Sequence, residues 1–395
     1  MVKGRSHRYD IAVVGTGPSG SLLAYEMARA GWSVLLLDKK ELPREKPCGG
    51  GLTQRALDLI PFDIASLIEE RAYTARLRVD FQPVFSQTRS EPAVHLVMRN
   101  RLDYFLAQRA ADAGAVLQDR TRFLSVSGKA GDLTLRTSTG LFHARIIVGA
   151  DGVHSRVARA LNLPIRYRVM PALEAELVVP SDAHSRFTGS ICFDFGVIHG
   201  GYAWIFPKKG HISAGILIRR RSAKHLRSQL MGYLEKNGLL RESSICSLRV
   251  HPIPCRPNRG NRYAETRGLV VGDATGLVDP VTGEGLYYAL KSAHLAAAAL
   301  KKVSPHRRLP TSDYITAIKT EIEAEVLQAD LLARILYRWP RLSNRMLRTF
   351  GDKIGAKHIA VYRGDLGYRQ LCRYVLSPRG LVHLLRPKRR TGLRH

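Results

Sequence analysis

Three glycines and one acid in this chain are spaced for phosphate and sugar chemistry. Gly15, Gly17 and Gly20 fall in the run Gly15-Thr16-Gly17-Pro18-Ser19-Gly20. Gly15 permits a tight turn, Gly17 has no Cβ to keep a pyrophosphate off the backbone, and Gly20 allows a helix to pack closely on a strand. Asp38 follows at the position of an acid that accepts from a ribose diol. Cys48 stands at the tip of Lys46-Pro47-Cys48-Gly49-Gly50-Gly51, where it is either a reactive thiol or merely a small residue. Consecutive glycines there suit a chain passing close under a flat ligand. Arg99 is either a phosphate contact or an ordinary exposed arginine. Asp151-Gly152 and Gly272-Asp273 supply two further acidic turns.

The elements around these residues are readable from periodicity. Ile11–Val14 is a short buried strand, an amphipathic run reaches Ala30, and Val34–Leu37 is a second apolar run ending at Asp38. Strand, glycine turn, helix and parallel strand make a dinucleotide-binding unit, whose helix N-terminus aims unpaired N–H groups at the phosphates. Residues 39–55 are a loop. Strands are predicted over Ala75–Phe81 and Ala93–Met98, then a helix over Leu102–Ala113. Strands near Thr121–Val126, Leu133–Thr137 and Ala144–Val148 follow. The last runs into Asp151, placed to serve a ligand at a strand end, to cap the next helix, or both. Pro164–Val250 alternates as an antiparallel sheet does, and Tyr202, Trp204 and Phe206 share one strand face as core or as a pocket wall. Gly268–Ala274 returns to a buried strand. A loop containing Gly283 then leads to Gly285 and a helix from Leu286. Thr311–Arg338 carries an apolar stripe at helical spacing and is stopped by Pro340. The expected division is 1–163 (with 75–98 lending strands to the sheet), 164–250, 251–300, and a helical 301–395.

Composition bounds the rest. The 395 residues are 45% hydrophobic, enough for two or three packed units. Five scattered cysteines without a CxxC pair indicate neither zinc nor disulfides, so no metal is expected and a reducing cytoplasm is the expected setting. No signal-peptide core is present, and Leu286–Leu300 is too interrupted by Lys291 and His294 to span a bilayer. The net charge of +29 points to an anionic membrane surface, a phosphorylated substrate or simply solvated cations. Nucleic acid is not expected, because no recognition motif accompanies the charge. The closing Arg386-Pro387-Lys388-Arg389-Arg390 reads as a solvated tail.

The glycine run with Asp38, Asp151-Gly152 and Gly272-Asp273 together resemble the flavin-binding domain of aromatic hydroxylases. Cys48-Gly49-Gly50 and Tyr202-x-Trp204-x-Phe206-Pro207-Lys208 more narrowly resemble the geranylgeranyl reductase family, which saturates isoprenoid double bonds. The resemblance covers most of residues 9–300. Where that family has a proline three residues before the cysteine, this chain has Glu45. The resemblance implies an α/β fold: a Rossmann-like FAD-binding domain, an inserted, mainly antiparallel β-sheet substrate domain, and a C-terminal helical region. It implies FAD extended over the first domain, with Gly15, Gly17, Ser19 and Gly20 at the pyrophosphate and Asp38 at the adenosine ribose. Arg99, matching that family's arginine four residues before an aspartate, here Asp103, would contact the FAD, and the backbone near Phe123 would line the adenine. Cys48, Gly49 and Gly50 would lie beside the flavin. Asp151 and Gly152 would serve the flavin and a nicotinamide donor. Asp273 would bind the ribityl or pyrophosphate region, with Gly283, Gly285 and Leu286 at the flavin pyrimidine.

The implied reaction is hydride transfer from flavin N5 to one alkene carbon with a proton delivered to the other. Cys48 is the first candidate donor, with Tyr202 or water as the alternative. Electrons would come from NAD(P)H or reduced ferredoxin. Tyr202, Trp204 and Phe206 would wall an isoprenoid chain, and Lys208 would meet a head-group phosphate. The substrate would be an isoprenoid small molecule or lipid, met by a cytoplasmic protein resting on the inner face of an anionic membrane. The rivals are an oxygen-using flavin monooxygenase, an isoprenoid cyclase or isomerase without net redox change, and a non-catalytic flavoprotein.

Overall fold

The structure is a computed structural model that describes residues 8–219, 225–303 and 309–376. The N-terminal basic tail before Arg8 and the Arg386–Arg390 cluster lie outside the described residues. The chain forms two compact units, each assembled from separate stretches of sequence. One comprises the chain up to Glu69, Val97–Met170 and His251–Leu327; the other comprises Glu70–Leu96, Pro171–Val250 and the chain from Gln328.

The first unit is built on a mainly parallel sheet. Its strands Gly268–Val270, Leu141–Gly149, Arg8–Val14, Val34–Leu37 and Val116–Gln118 lie side by side in that order, all parallel. Ala264–Glu265 adds an antiparallel edge, and the hairpin Phe123–Lys129/Asp132–Thr137 extends Leu141–Gly149. Ile11–Val14 and Val34–Leu37 are buried on both faces, which is why they read as continuous apolar runs. The helices Pro18–Arg29 and Leu286–Lys301 pack against the sheet through Leu22, Leu23, Met27, Leu290, Ala293 and Ala297, all in one core with Ile11, Val13 and Leu36. The chain leaves the central strand Arg8–Val14 toward Val34 on one side, while Leu141–Gly149 lies on the other. This reversal of strand order opens a crevice beyond the strands' carboxyl ends.

The second unit carries a seven-stranded sheet in the order Ser244–Pro257, Tyr167–Val178, His211–Ile218, Gly201–Lys208, Ser190–Phe195, Thr74–Val79 and Gln82–Thr88. From Tyr167–Val178 onward the neighbours pair antiparallel, except that Ser190–Phe195 runs parallel to Thr74–Val79. The strand Gln82–Thr88 was not anticipated, because Pro83 and its polar neighbours hide an edge strand. The helix Leu226–Lys236 covers one face through Leu226, Leu230, Tyr233 and Leu234.

Helical runs close the chain. The stretch expected as one helix over Thr311–Arg338 is Thr311–Ile318 and Ala324–Arg338 joined by a wide turn, Lys319–Glu323. Pro340 ends that run and opens Pro340–Arg363, since its fixed φ suits a first helical turn.

Candidate functional site

The glycine turn is shaped by contacts that differ from one glycine to the next. Gly15 has φ +112°, and a Cβ there would stand 2.2 Å from the carbonyl oxygen of Ala150. A Cβ on Gly20 would stand 1.9 Å from the Gly15 oxygen. Both glycines are needed by the fold itself. Gly17 is different: its Cβ would meet only the Arg44 guanidinium, at 4.0 Å. The helix Pro18–Arg29 begins there with no side-chain cap and no acid in its first turn, so its positive end is left for an anion. Ser19 is buried, and its hydroxyl lies where a Cβ on Gly272 would fall, at 2.4 Å.

Asp38 sits at the mouth of this turn. It accepts from the Thr16 amide at 3.2 Å, the Thr16 hydroxyl at 2.6 Å, the Lys40 amide at 2.9 Å and Arg44 Nε at 2.9 Å. Burial raises its pKa, but Arg44 and these hydrogen bonds outweigh burial and hold it below the ordinary carboxylate value. The segment before Phe123 lies against it, with the Thr121 amide donating to the Asp38 carbonyl at 2.7 Å. The Phe123 ring itself is buried in the core.

The loop after Asp38 folds over a row of alternating charges. Arg44 also reaches Asp103, at 3.2 Å. Arg99 is the first residue of the helix Arg99–Asp112, not a linker before it, and donates to both Asp103 oxygens at 2.8 and 3.0 Å. Arg99 also hydrogen-bonds the Cys48 side chain. The Gly50 amide approaches Cys48 Sγ at 3.4 Å, and the Gly50 carbonyl accepts from Val97 at 3.0 Å. Gly50 has φ +73°, which explains a glycine there.

Beside Cys48 lies a pair of bases. Lys46 Nζ stands 2.5 Å from His251 Nε2. Burial lowers the pKa of Lys46, against an opposing pull from Asp273. Burial, with Lys46 adding to it, lowers His251 to about 4. The imidazole that faces Lys46 is therefore neutral near neutrality. A sign for stability follows. Between pH 6.5 and 4 the unfolded chain protonates His251 and the folded chain does not, so stability falls as pH drops through this window. The loss is about 2–3 kcal/mol by pH 4 once partial exposure is allowed for. His251→Gln should flatten that part of the profile of unfolding free energy against pH. An unchanged slope would assign the acid sensitivity to other groups.

At the other strand ends the acids divide their work. Asp151 accepts from the Ser155 hydroxyl at 2.5 Å and from the Arg156 and Val157 amides at 2.6 and 3.2 Å. Its carboxylate thus caps the short helix Arg156–Ala160, and burial raises its pKa despite these bonds. Gly152, at φ +82°, has open space where its Cβ would be. Asp273 lies in the single turn Gly272–Thr275, 3.4 Å from where a Cβ on Gly285 would fall. Gly283, at φ +74°, closes a loop tied to the fully buried Asp279, which accepts from the Val281 amide and the Thr282 hydroxyl. Glu284 is anchored by Thr53 at 2.6 Å and Arg55 at 2.6 Å, and Arg55 also reaches Glu325 at 3.1 Å. These ties fix Gly285, the start of the helix Leu286–Lys301, which has no side-chain cap and no acid in its first turn.

The first unit therefore gathers Gly15–Gly20, Asp38, Cys48–Gly50, Arg99, Asp273, Gly283, Gly285 and Leu286. It presents a carboxylate for a diol, one uncapped helix N-terminus beside a glycine with room around it, and a second uncapped N-terminus beyond. These features fit the two ends and the pyrophosphate of an extended dinucleotide such as FAD. Sequence reading gave no role to Arg44, Lys46 or His251. Lys46 and His251 meet across 205 residues, and Arg44 joins nearby Asp38 to Asp103, 59 residues away. The Lys/Arg-rich loop Lys39–Lys46 was the one local signal.

In the second unit Tyr202, Trp204, Phe206 and Lys208 do share one strand face, and all four are buried. Phe193 packs edge-on against Tyr202 and Phe206 at 5.6 and 5.5 Å between centroids, and Tyr202 lies 6.1 Å from Trp204. Gly215 makes room for the Trp204 ring, which a Cβ would strike at 2.3 Å. Lys208, expected to face a head group, is 1% exposed and bonds Glu176 at 3.0 Å, with His211 on the same carboxylate at 3.1 Å. Its ammonium is used inside the sheet. Removing it strands Glu176, so Lys208→Met should cost about 2–4 kcal/mol of stability in denaturant unfolding. A smaller loss would show that His211 alone suffices for Glu176.

Comparison with known proteins places this geometry. Residues 8–308 match the family described as FAD binding domain. The chain is similar to a geranylgeranyl diphosphate reductase of Rhodobacter capsulatus, 32% identical over 310 residues, covering 74% of this chain and 75% of that protein. It is also similar to digeranylgeranylglycerophospholipid reductase 1 of Methanopyrus kandleri, 29% identical over 405 residues and 96% of each chain. A geranylgeranyl bacteriochlorophyll reductase-like crystal structure from Thermoplasma acidophilum shares the fold, with a TM-score of 0.78 at 23% identity over 96% of this chain and 98% of that one.

Proposed function

The chain belongs to the FAD-binding-domain family, among the FAD-dependent oxidoreductases of the geranylgeranyl reductase group, and on that footing we propose that it saturates carbon–carbon double bonds in the geranylgeranyl chain of a prenyl diphosphate or lipid. The observation that carries the reading is the Cys48 thiol, held by Arg99 and the Gly50 amide in the same unit as the two uncapped helix N-termini. Bound, reduced FAD supplies the hydride, replenished by NAD(P)H or a reduced ferredoxin. Cys48, held beside Arg99, would deliver the proton to the other alkene carbon. Asp38 would hold the adenosine end through its ribose, and the Pro18 and Leu286 helix ends would favour negative charge on the pyrophosphate and on the reduced ring. The aromatic face of Tyr202, Trp204 and Phe206 lines the apolar chain in the second unit. No helix among the described residues is long and apolar enough to cross a membrane.

The test is anaerobic. The purified protein is reduced with dithionite, geranylgeranyl diphosphate or a geranylgeranyl phospholipid is added, and flavin reoxidation is followed with product mass. Reoxidation with product heavier by hydrogen pairs supports the reductase. Product gaining oxygen only in air would point to a monooxygenase, and an unchanged mass to a cyclase or isomerase. Cys48→Ala should lower turnover about 10²–10⁴-fold with flavin absorbance and melting temperature unchanged. Full activity in that variant would move the proton donor to Tyr202 or water.

A further inference from the structure

The helix corner around Trp339 carries features that neither the cofactor nor the chemistry uses. Trp339 joins Ala324–Arg338 to Pro340–Arg363. It is 56% exposed, with Leu342 at 52% and Leu331 at 44% beside it in sequence, whereas the other two tryptophans, Trp32 and Trp204, are buried. The corner is well fixed. Ser343 Oγ lies 2.8 Å from the Leu336 carbonyl and 3.2 Å from those of Trp339 and Pro340. Its apolar tips are thus held outward by rigid helix ends.

Charge frames them. From Leu331 to Gly351 the sequence has Arg334, Arg338, Arg341, Arg345 and Arg348 and no aspartate or glutamate. Arg334 is bound to Asp330, and Arg348 to Asp80. Arg338, Arg341 and Arg345 are exposed, and none forms an ion pair among the described residues. Trp339 and Leu342 therefore stand between three solvent-facing guanidinium groups. An indole and a leucine suit the boundary between head groups and acyl chains, while arginines beside them suit lipid phosphates.

We propose that the Trp339 corner is a docking surface for an anionic lipid bilayer, entered by Trp339 and Leu342 and held by Arg338, Arg341 and Arg345. It goes beyond the proposed reaction, with which it agrees in that long isoprenoid chains reside in bilayers, and its test uses no turnover. The full-length flavoprotein is mixed with phosphatidylglycerol/phosphatidylcholine vesicles and with pure phosphatidylcholine vesicles, and sedimentation and tryptophan emission are read. The expected result is salt-sensitive binding to the anionic vesicles with a blue shift of Trp339 emission. Arg338→Gln/Arg341→Gln/Arg345→Gln should weaken binding about a hundredfold, and Trp339→Ala/Leu342→Ser about tenfold. Trp339→Phe guards against misfolding, since it keeps an aromatic anchor and should retain binding. Flavin content and melting temperature check each variant. Undiminished binding in both multiple variants, or binding without a blue shift, would overturn the proposal in favour of another basic surface. Equal displacement by a single-stranded oligonucleotide would overturn it in favour of a general polyanion site.

Discussion

Gly17→Val should give a protein that folds as the wild type does but purifies without flavin. The backbone at Gly17, φ −70° and ψ 174°, is open to any residue, and the nearest atom to its Cβ is 4.0 Å away. Nothing in the protein alone demands glycine there. The demand comes from the ligand, because branched carbons at this point would stand where a phosphate must approach the amides of the helix end. FAD affinity should fall at least a hundredfold, about 3 kcal/mol. The denaturation midpoint of the flavin-free protein should stay within about 0.5 kcal/mol of wild type. Gly20→Ala supplies the contrast. Its Cβ would fall 1.9 Å from the Gly15 oxygen, so fold and flavin should be lost together, at more than about 3 kcal/mol. A Gly17→Val protein retaining stoichiometric FAD would remove the pyrophosphate from this turn.

Arg55→Leu should destabilise the first unit more than any surface change could. Arg55 and Glu284 are each 6% exposed at the side chain, and Glu325 is 18% exposed. The guanidinium also lies 4.0 Å from the centre of the Tyr287 ring. Without it, two inward carboxylates lose their counter-charge. Breaking one side of such a cluster costs about 3–5 kcal/mol, or about 10 °C in melting temperature. Arg55→Leu/Glu284→Gln should recover part of the loss. Flavin retention should also drop, because Glu284 positions Gly285 at the start of the Leu286 helix. No recovery in that double variant would show that ring packing, not charge, is what Arg55 provides.

How much of this was legible depends on the range over which the signal acts. The run from Tyr9 to Asp38 was read whole because strand, turn, helix and strand follow one another, each with its own period. The anchoring of Gly285 was only half legible. Its glycine loop was plain, but Arg55, which holds Glu284, lies 229 residues away. Arg99 and Asp103 were read together at four residues' spacing, but Arg44, which reaches Asp103 from 59 residues away, was not. Asp151 was read as compatible with two roles at once, and the bonds from the Arg156 and Val157 amides supply the capping one. Lys208 was misjudged because alternation gives the face of a strand and not its depth. The wide turn at Lys319–Glu323 left no mark in the apolar stripe, which runs through it unbroken.

The interleaving of the two units has a consequence for synthesis. The strand Leu141–Gly149 pairs with Arg8–Val14 on one flank and with Gly268–Val270 on the other. A nascent chain that has emerged only to the middle of its length has a central sheet with one flank unpaired and without the helix that begins at Leu286. Neither unit can be completed by an N-terminal fragment, and neither can be excised as one contiguous piece. The polypeptide must therefore reach the helix ending at Lys301 before its first nucleotide-binding turn has a finished sheet behind it, so capture of the flavin is a late event on or after the ribosome.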